Sequence, residues 1–228
     1  MATNHHDHDH HDQQRSVLQA NKEYFNQPHN TYEDKPEFKE RATRVAKSIL
    51  KSYATNKETT VVLDFACGNG NVSKDLAPHV KSVLGVDVSQ RMVDLYNEQL
   101  KDIDNASAVC MELKAKEGEL SDARFDMIFC ASAYHHFVSI EDVTRTLTFF
   151  LKPGGALMVV DIVHSEEVYA SMAERGHIVP HKHGLSREQI HEAFAAAGLS
   201  MKLFESIPPS VEHPSKDLFL AVGERPSV

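Results

Sequence analysis

Residues 61–80 run VVLDFACGNGNVSKDLAPHV, and the fold turns on this stretch. Together with the threonines before it, the apolar run Val61–Phe65 has the length and composition of a buried strand. From Asn71 the period changes, and Val72, Leu76 and Val80 fall on one side of a helix. Between strand and helix lies a turn holding Gly68 and Gly70, with an acid, Asp64, just before it. Glycines there allow tight dihedrals and let a ligand approach the main chain where a Cβ would block it.

The same rhythm continues in both directions. Upstream, Glu37–Tyr53 places Phe38, Ala42, Val45, Ile49 and Tyr53 on one helical face. Downstream, KSVLGVDVS (81–89) predicts a second strand and QRMVDLYNEQLKDI (90–103) a helix. ASAVCMEL (106–113) predicts a weaker third strand and RFDMIFCASA (124–133) a fourth. Ser139 with Asp142 suggests a capped helix through Phe150, ended by KPGG (152–155), and ALMVVDIV (156–163) is a fifth strand. Ser186 and Gln189 form a capping-box pattern for a helix to Ala197 that Gly198 stops. MKLFESI (201–207) and DLFLAVGE (217–224) have no helix between them. This alternation predicts an α/β fold, a doubly wound, mostly parallel, seven-stranded Rossmann-like sheet with a C-terminal antiparallel hairpin.

The bulk numbers narrow the function. A chain of 228 residues, 41% hydrophobic and 25% charged, suits one compact domain, here residues 15–228. Residues 1–14, MATNHHDHDHHDQQ, hold five histidines interleaved with acids and almost nothing to bury, so a disordered tail is expected. Such a tract binds transition metals loosely, but no defined metal site is expected from it. The net charge of −9 argues against a nucleic-acid partner. No apolar run approaches the ~20 residues of a bilayer span, so no membrane partner is expected. Cys67, Cys110 and Cys130 sit in apolar contexts without CxxC spacing, and with no signal-peptide pattern they point to a cytoplasmic protein.

In a doubly wound sheet, ligands bind beyond the carboxyl ends of the strands where the strand order reverses, which is where the glycine turn lies. A dinucleotide site wants G-x-G-x-x-G, but Ser73 occupies the third glycine position, and Asp64 would repel a diphosphate while suiting a cationic group. Asp87 ends the second strand, where a carboxylate can accept from a ribose diol. With VVLDFACGNGNVS, VLGVDVSQRMV, FDMIFCASAYHHF and FFLKPGGALMVVDIV, the chain resembles the class I S-adenosylmethionine-dependent methyltransferases over about residues 60–165. Within them it is most similar to small-molecule enzymes of the quinone-biosynthesis type. That resemblance implies S-adenosylmethionine as cofactor, with Asp64, Ala66, Gly68 and Gly70 at its methionine end and Asp87 on the ribose. It further implies Val88 and Met92 beside the adenine, Met111 and Glu112 near the adenine amino group, and Ala131 with Ser132 under the sulfonium. The segment of about residues 15–36 resembles the N-terminal cover of these enzymes, in which Tyr24, Phe25 or Tyr32 would close over the cofactor.

Methyl transfer from a sulfonium needs alignment above all, and a base only when the acceptor arrives protonated. Histidine suits that work near neutral pH, and His136 and His164 are the candidates for base or positioning residue. His135, with His177, His181 and His183 in the connection after the fifth strand, is expected to line or cover the acceptor pocket. The expected partner is a small-molecule methyl acceptor. A protein methyltransferase, and a noncatalytic protein that keeps the fold for regulation or assembly, are the alternatives.

Overall fold

The structure is a computed structural model that describes residues 4–28, 35–166, 168, 169, 177–210 and 217–227, with side chains from Asp12 onward. Seven strands form one sheet in the order β3-β2-β1-β4-β5-β7-β6. They are β1 (Val61–Phe65), β2 (Ser82–Asp87), β3 (Ala106–Cys110), β4 (Phe125–Ala131), β5 (Leu151–Ile162), β6 (Ser200–Ile207) and β7 (Leu218–Glu224). The first five pair in parallel, whereas β7 runs antiparallel to both β5 and β6. This is the predicted topology, and its strand order reverses between β1 and β4.

Period-two alternation assigns each strand's side chains to two cores. Val62, Met127, Phe129, Met158 and Val160 point to one face, covered by α2 (Pro36–Ser52) through Val45 and Ile49 and by α3 (Asn71–Leu76) through Leu76. Leu63, Ile128, Cys130, Leu157 and Val159 point to the other, covered by α5 (Ile140–Phe150) and α6 (Arg187–Ala196) through Leu147, Phe150, Ile190 and Phe194. The helix α4 (Gln90–Gln99) covers the β2–β3 end with Val93 and Tyr96. The caps expected from the sequence are formed. Ser139 Oγ accepts from Asp142 N at 3.1 Å, and Ser186 with Gln189 closes a full capping box. Each such cap is worth about 1 kcal/mol.

The helix α1 spans Asn4–Asn26, with no glycine or proline between Ala2 and Pro28 to interrupt it. Two local expectations need correction. β3 ends at Cys110, so Met111 and Glu112 leave the sheet instead of continuing it. KPGG does not separate helix from strand but forms the first, irregular residues of β5. There Lys152 Nζ pairs with Asp126 at 2.8 Å, Gly154 N donates to Arg225 O, and Arg225 N donates to Gly155 O. Among the described residues, no helix is long and apolar enough to cross a membrane.

Candidate functional site

A cavity of about 580 Å³ opens beyond the carboxyl ends of β1, β2 and β4, at the reversal of strand order. Its floor is the sharply turning backbone that leaves those strands. Ala66 (φ 57°), Gly68 (φ 52°) and Ser132 (φ 58°) all hold left-handed dihedrals and all line the cavity. For the two non-glycines this conformation costs of order 1–3 kcal/mol each, and such strain clusters where backbone is presented to a ligand.

Two carboxylates on the floor differ in how they are held. Asp64 is buried in β1, and its Oδ2 accepts from Ser73 Oγ at 2.6 Å. No ion pair neutralises it among the described residues. Burial drives its pKa up to about 7; the Ser73 hydrogen bond opposes the rise, and the negative charge of Asp87 adds to it. Asp64 does not cap α3, because its partner is a side chain within that helix. Asp87, at the end of β2, accepts from Gly68 N through Oδ2 at 3.0 Å and from Ser89 N through Oδ1 at 2.9 Å. Burial pushes its pKa up, against hydrogen bonds from the backbone of Ser89, Gly68 and Val88. Each of its oxygens has a second acceptor site, so a fixed carboxylate can still receive a diol.

Many expected site residues lie together on this wall. Asp64, Ala66, Gly68 and Asp87 form the floor, Val88, Met92, Met111 and Glu112 one side, and Ala131 and His136 another. Gly70 does not belong to it. Its φ is +81°, and an added Cβ would come within 2.6 Å of the Tyr96 ring, so this glycine serves the packing of α4. Tyr24 packs into the core and meets Phe25 edge-on at 5.2 Å, while Phe25 is the ring that reaches the cavity. Tyr32 lies outside the described residues.

The histidines divide in a way that the sequence did not indicate. His136 lines the cavity, and its Nδ1 lies 2.7 Å from Ile178 O. A carbonyl only accepts, so Nδ1 carries the hydrogen and the basic nitrogen of the neutral ring is Nε2. His135 points away from the cavity into a buried pair with Asp161, with Nδ1 to Oδ1 at 2.7 Å. His181 lies behind His135, whose carbonyl its backbone N–H reaches, and burial holds its pKa below the usual imidazole value. His164 and His183 stack at 5.5 Å, with Tyr169 stacked on His183 at 4.3 Å. His177 is exposed, and none of His135, His164, His177, His181 or His183 is on the cavity wall. Among the described residues, the connection after β5 thus backs His136 through Ile178 instead of lining the pocket. Among the described residues, no group of three or more metal-ligating side chains is arranged to hold an ion.

The roof is helical. α1 lays Gln14, Leu18, Asn21 and Phe25 along one face over the cavity, at spacings of three and four. Its end is latched to the start of α4, where Asn26 Oδ1 accepts from Ser89 Oγ at 2.8 Å and from Arg91 N at 3.2 Å. Asn21 Nδ2 donates to Ile178 O at 3.1 Å, so one carbonyl holds both the roof and His136. Phe38, Arg41, Ala42 and Val45 of α2 complete the cover. The helical periodicity of both segments was the available signal. In α2 the apolar stripe reads as core throughout, yet its first half faces the cavity.

Comparison with known proteins agrees with this geometry. A family model described as a methyltransferase domain matches residues 62–155. An uncharacterized methyltransferase of Schizosaccharomyces pombe is 35% identical over 150 residues, covering 61% of this chain and 53% of that protein. A ubiquinone biosynthesis O-methyltransferase of Coxiella burnetii is 31% identical over 111 residues, 47% of this chain and 46% of that one. The chain therefore spans about half the length of these relatives. Among solved structures, the N-methyltransferase NodS of Bradyrhizobium japonicum, in complex with S-adenosylhomocysteine, superposes with a TM-score of 0.65 at 18% identity, over 92% of this chain and 99% of that one. The geranyl diphosphate C-methyltransferase of Streptomyces coelicolor does so with a TM-score of 0.69 at 12% identity, over 92% and 97%. At these identities the two structures speak for the fold alone. The match to a methyltransferase domain covers residues 62–155, the part of the chain that carries Asp64, Gly68 and Asp87, and in that part the chain is similar to known and uncharacterized methyltransferases.

Proposed function

We propose that the protein transfers a methyl group from S-adenosylmethionine to a small-molecule acceptor. The observation that carries this is a single cavity with two differently held carboxylates, Asp64 and Asp87, at the reversal point of the sheet. The donor set fits the cofactor. A buried acid without a cationic partner suits an ammonium, a backbone-clamped acid suits a ribose diol, and the apolar surface of Val88, Met92 and Met111 suits an adenine ring. When bound, the cofactor supplies an electrophilic methyl group on a sulfonium.

The chain's own residues then have four tasks. Asp64 holds the amino end and Asp87 the sugar, which together fix the cofactor along the floor. α1 and α2 exclude water from above, with the ring of Phe25 in the roof; an aromatic face favours a cation nearby. His136 Nε2 takes the acceptor's proton where the nucleophile carries one, while Ile178 O keeps the ring in the Nδ1–H tautomer. The similarity to a ubiquinone biosynthesis O-methyltransferase supports a small acceptor.

A direct test follows S-adenosylhomocysteine formation from S-adenosylmethionine over a set of small phenols, amines and thiols. Turnover of a phenol or amine that drops at least tenfold in His136→Gln, with cofactor affinity unchanged, is the expected result. Absence of S-adenosylhomocysteine binding to the wild-type protein would sink the proposal at its root.

A further inference from the structure

We propose that the methyl acceptor is an apolar molecule carrying a second N–H or O–H group next to its nucleophile, and that Asn21 in the roof receives this hydrogen through Oδ1. The inference rests on S-adenosylmethionine occupying the floor with His136 toward the acceptor, and it names the acceptor's chemistry. Of the buried side-chain atoms that lack a hydrogen-bond partner among the described residues, Asn21 Oδ1 is the one whose residue lines the cavity. Asn21 is only 8% exposed, and a buried acceptor left without a donor carries the full cost of its desolvation. A chain tolerates that cost where a ligand brings the donor.

The amide cannot turn over to relieve it. Asn21 Nδ2 donates to Val17 O at 3.0 Å and to Ile178 O at 3.1 Å, and both partners are carbonyls that only accept. Exchanging the two ends of the amide would set its oxygen against two oxygens. The nitrogen is used by the fold, and the oxygen is fixed but unanswered.

Its position ties it to the acceptor. Ile178 O also accepts from His136 Nδ1 at 2.7 Å, so the Asn21 amide and the His136 ring sit side by side on one carbonyl. Phe25, one turn beyond Asn21, meets the His136 ring edge-on at 5.7 Å. A nucleophile whose proton goes to His136 therefore lies beside Asn21, and a donor on the neighbouring atom of the same molecule reaches Oδ1. The ammonium and diol of the cofactor belong to Asp64 and Asp87 on the floor. Apolar side chains make up the surrounding wall, with Val17, Leu18 and Phe25 from α1, Phe137 and Val138 before α5, and Val143 within it. Such a cavity selects an apolar body by contact and fixes its orientation through a few placed polar atoms. An acceptor atom built to receive a donor also discriminates against the analogue that lacks one.

The test uses three ligands with one bicyclic body: 2,3-dihydroxynaphthalene with two adjacent donors, 2-naphthol with one, and 2-methoxynaphthalene with none. Each is titrated into full-length protein saturated with S-adenosylhomocysteine. The chain contains no tryptophan, so naphthalene fluorescence is read without an indole background. The dihydroxy ligand should bind at least about fivefold more tightly than 2-naphthol, although 2-naphthol is the more apolar. Asn21→Leu should abolish that preference while binding 2-methoxynaphthalene and S-adenosylhomocysteine as the wild type does. Asn26→Ala loosens the roof at its latch, away from the cavity wall, and should keep the preference. Equal binding of the dihydroxy ligand and 2-naphthol, an undiminished preference in Asn21→Leu, or binding of none of the three overturns the proposal while the cofactor assignment stands. Loss of the preference in Asn26→Ala would trace it to roof closure, and a loss of S-adenosylhomocysteine affinity in Asn21→Leu would give the oxygen to the cofactor. Either result overturns the proposal too. Failure of S-adenosylhomocysteine to bind the wild-type protein strikes the cofactor assignment itself.

Discussion

The carboxyl ends of β1 and β5 each bury an aspartate, and the protein treats the two in opposite ways. Asp161, in β5, accepts from His135 Nδ1 at 2.7 Å, from His135 N at 3.1 Å and from Ile162 N at 2.7 Å. Burial alone would raise its pKa, but the His135 charge and these hydrogen bonds outweigh burial and leave it lowered. Asp64, in β1, has one hydroxyl for a partner, and its pKa rises to about 7. A buried charge that the chain satisfies for itself is structural. A buried charge left without its counterion marks the place where a cationic ligand completes the site.

The contrast breaks most visibly in stability. Removing Asp161 strands His135 and two backbone donors, so Asp161→Ala should lose about 3–5 kcal/mol in urea denaturation. Because its folded pKa is depressed, Asp161's contribution is present above its unfolded value near 3.8 and fades as pH falls below it. Asp64 carries the other sign. Its ionisation is penalised in the folded state, so the empty protein loses stability as pH climbs from about 3.8 through about 7, by up to about 4 kcal/mol. Asp64→Asn should therefore melt higher than wild type at pH 8 while binding S-adenosylhomocysteine at least about 100-fold more weakly. A stabilised variant that keeps full affinity would erase the distinction between the two acids.

Asp87 tests the same idea on a half-buried group. Asp87→Ala should cost roughly 2–3 kcal/mol of S-adenosylhomocysteine affinity, about 30- to 150-fold by calorimetry, and Asp87→Asn less. The smallest effect is expected at the roof. Asn26→Ala removes an acceptor from the start of α4, a change worth about 1 kcal/mol. Hydrogen exchange of residues 15–28 should speed up in that variant, and in the wild-type protein it should slow when cofactor is added. Equal exchange in all three states would remove α1 from the account as a closing element.

The floor was legible in the sequence because it is local. The strand, the acid, the glycine turn and the helix of the floor are contiguous, and Asp87 ends the next strand, so spacing alone brings them to one sheet edge. Gly68 and Gly70 show the limit of that logic. They sit two residues apart in one turn, but only the three-dimensional position of Tyr96 reveals that Gly70 serves the core. The histidines were harder still. His135 and His136 are neighbours in sequence, yet one turns to Asp161 and the other to the cavity, and both orientations depend on partners 26 and 42 residues away. The roof was hidden for a different reason. Polar, histidine-rich composition reads as solvated chain, while the face formed by Leu18, Asn21 and Phe25 is a short stripe that gains meaning only against the cavity it covers.

The central claim is that Asp64 is held for a cation brought by the cofactor, and proton counting tests it directly. S-adenosylhomocysteine, whose ammonium is fully charged at pH 7, is titrated calorimetrically in two buffers of different ionisation enthalpy. With Asp64 near half-ionised in the empty protein, binding should release about half a proton at pH 7, and affinity should improve about tenfold from pH 6 to pH 8. Asp64→Asn should release none. Tight binding without proton release, or equal affinity at both pH values, would contradict the account.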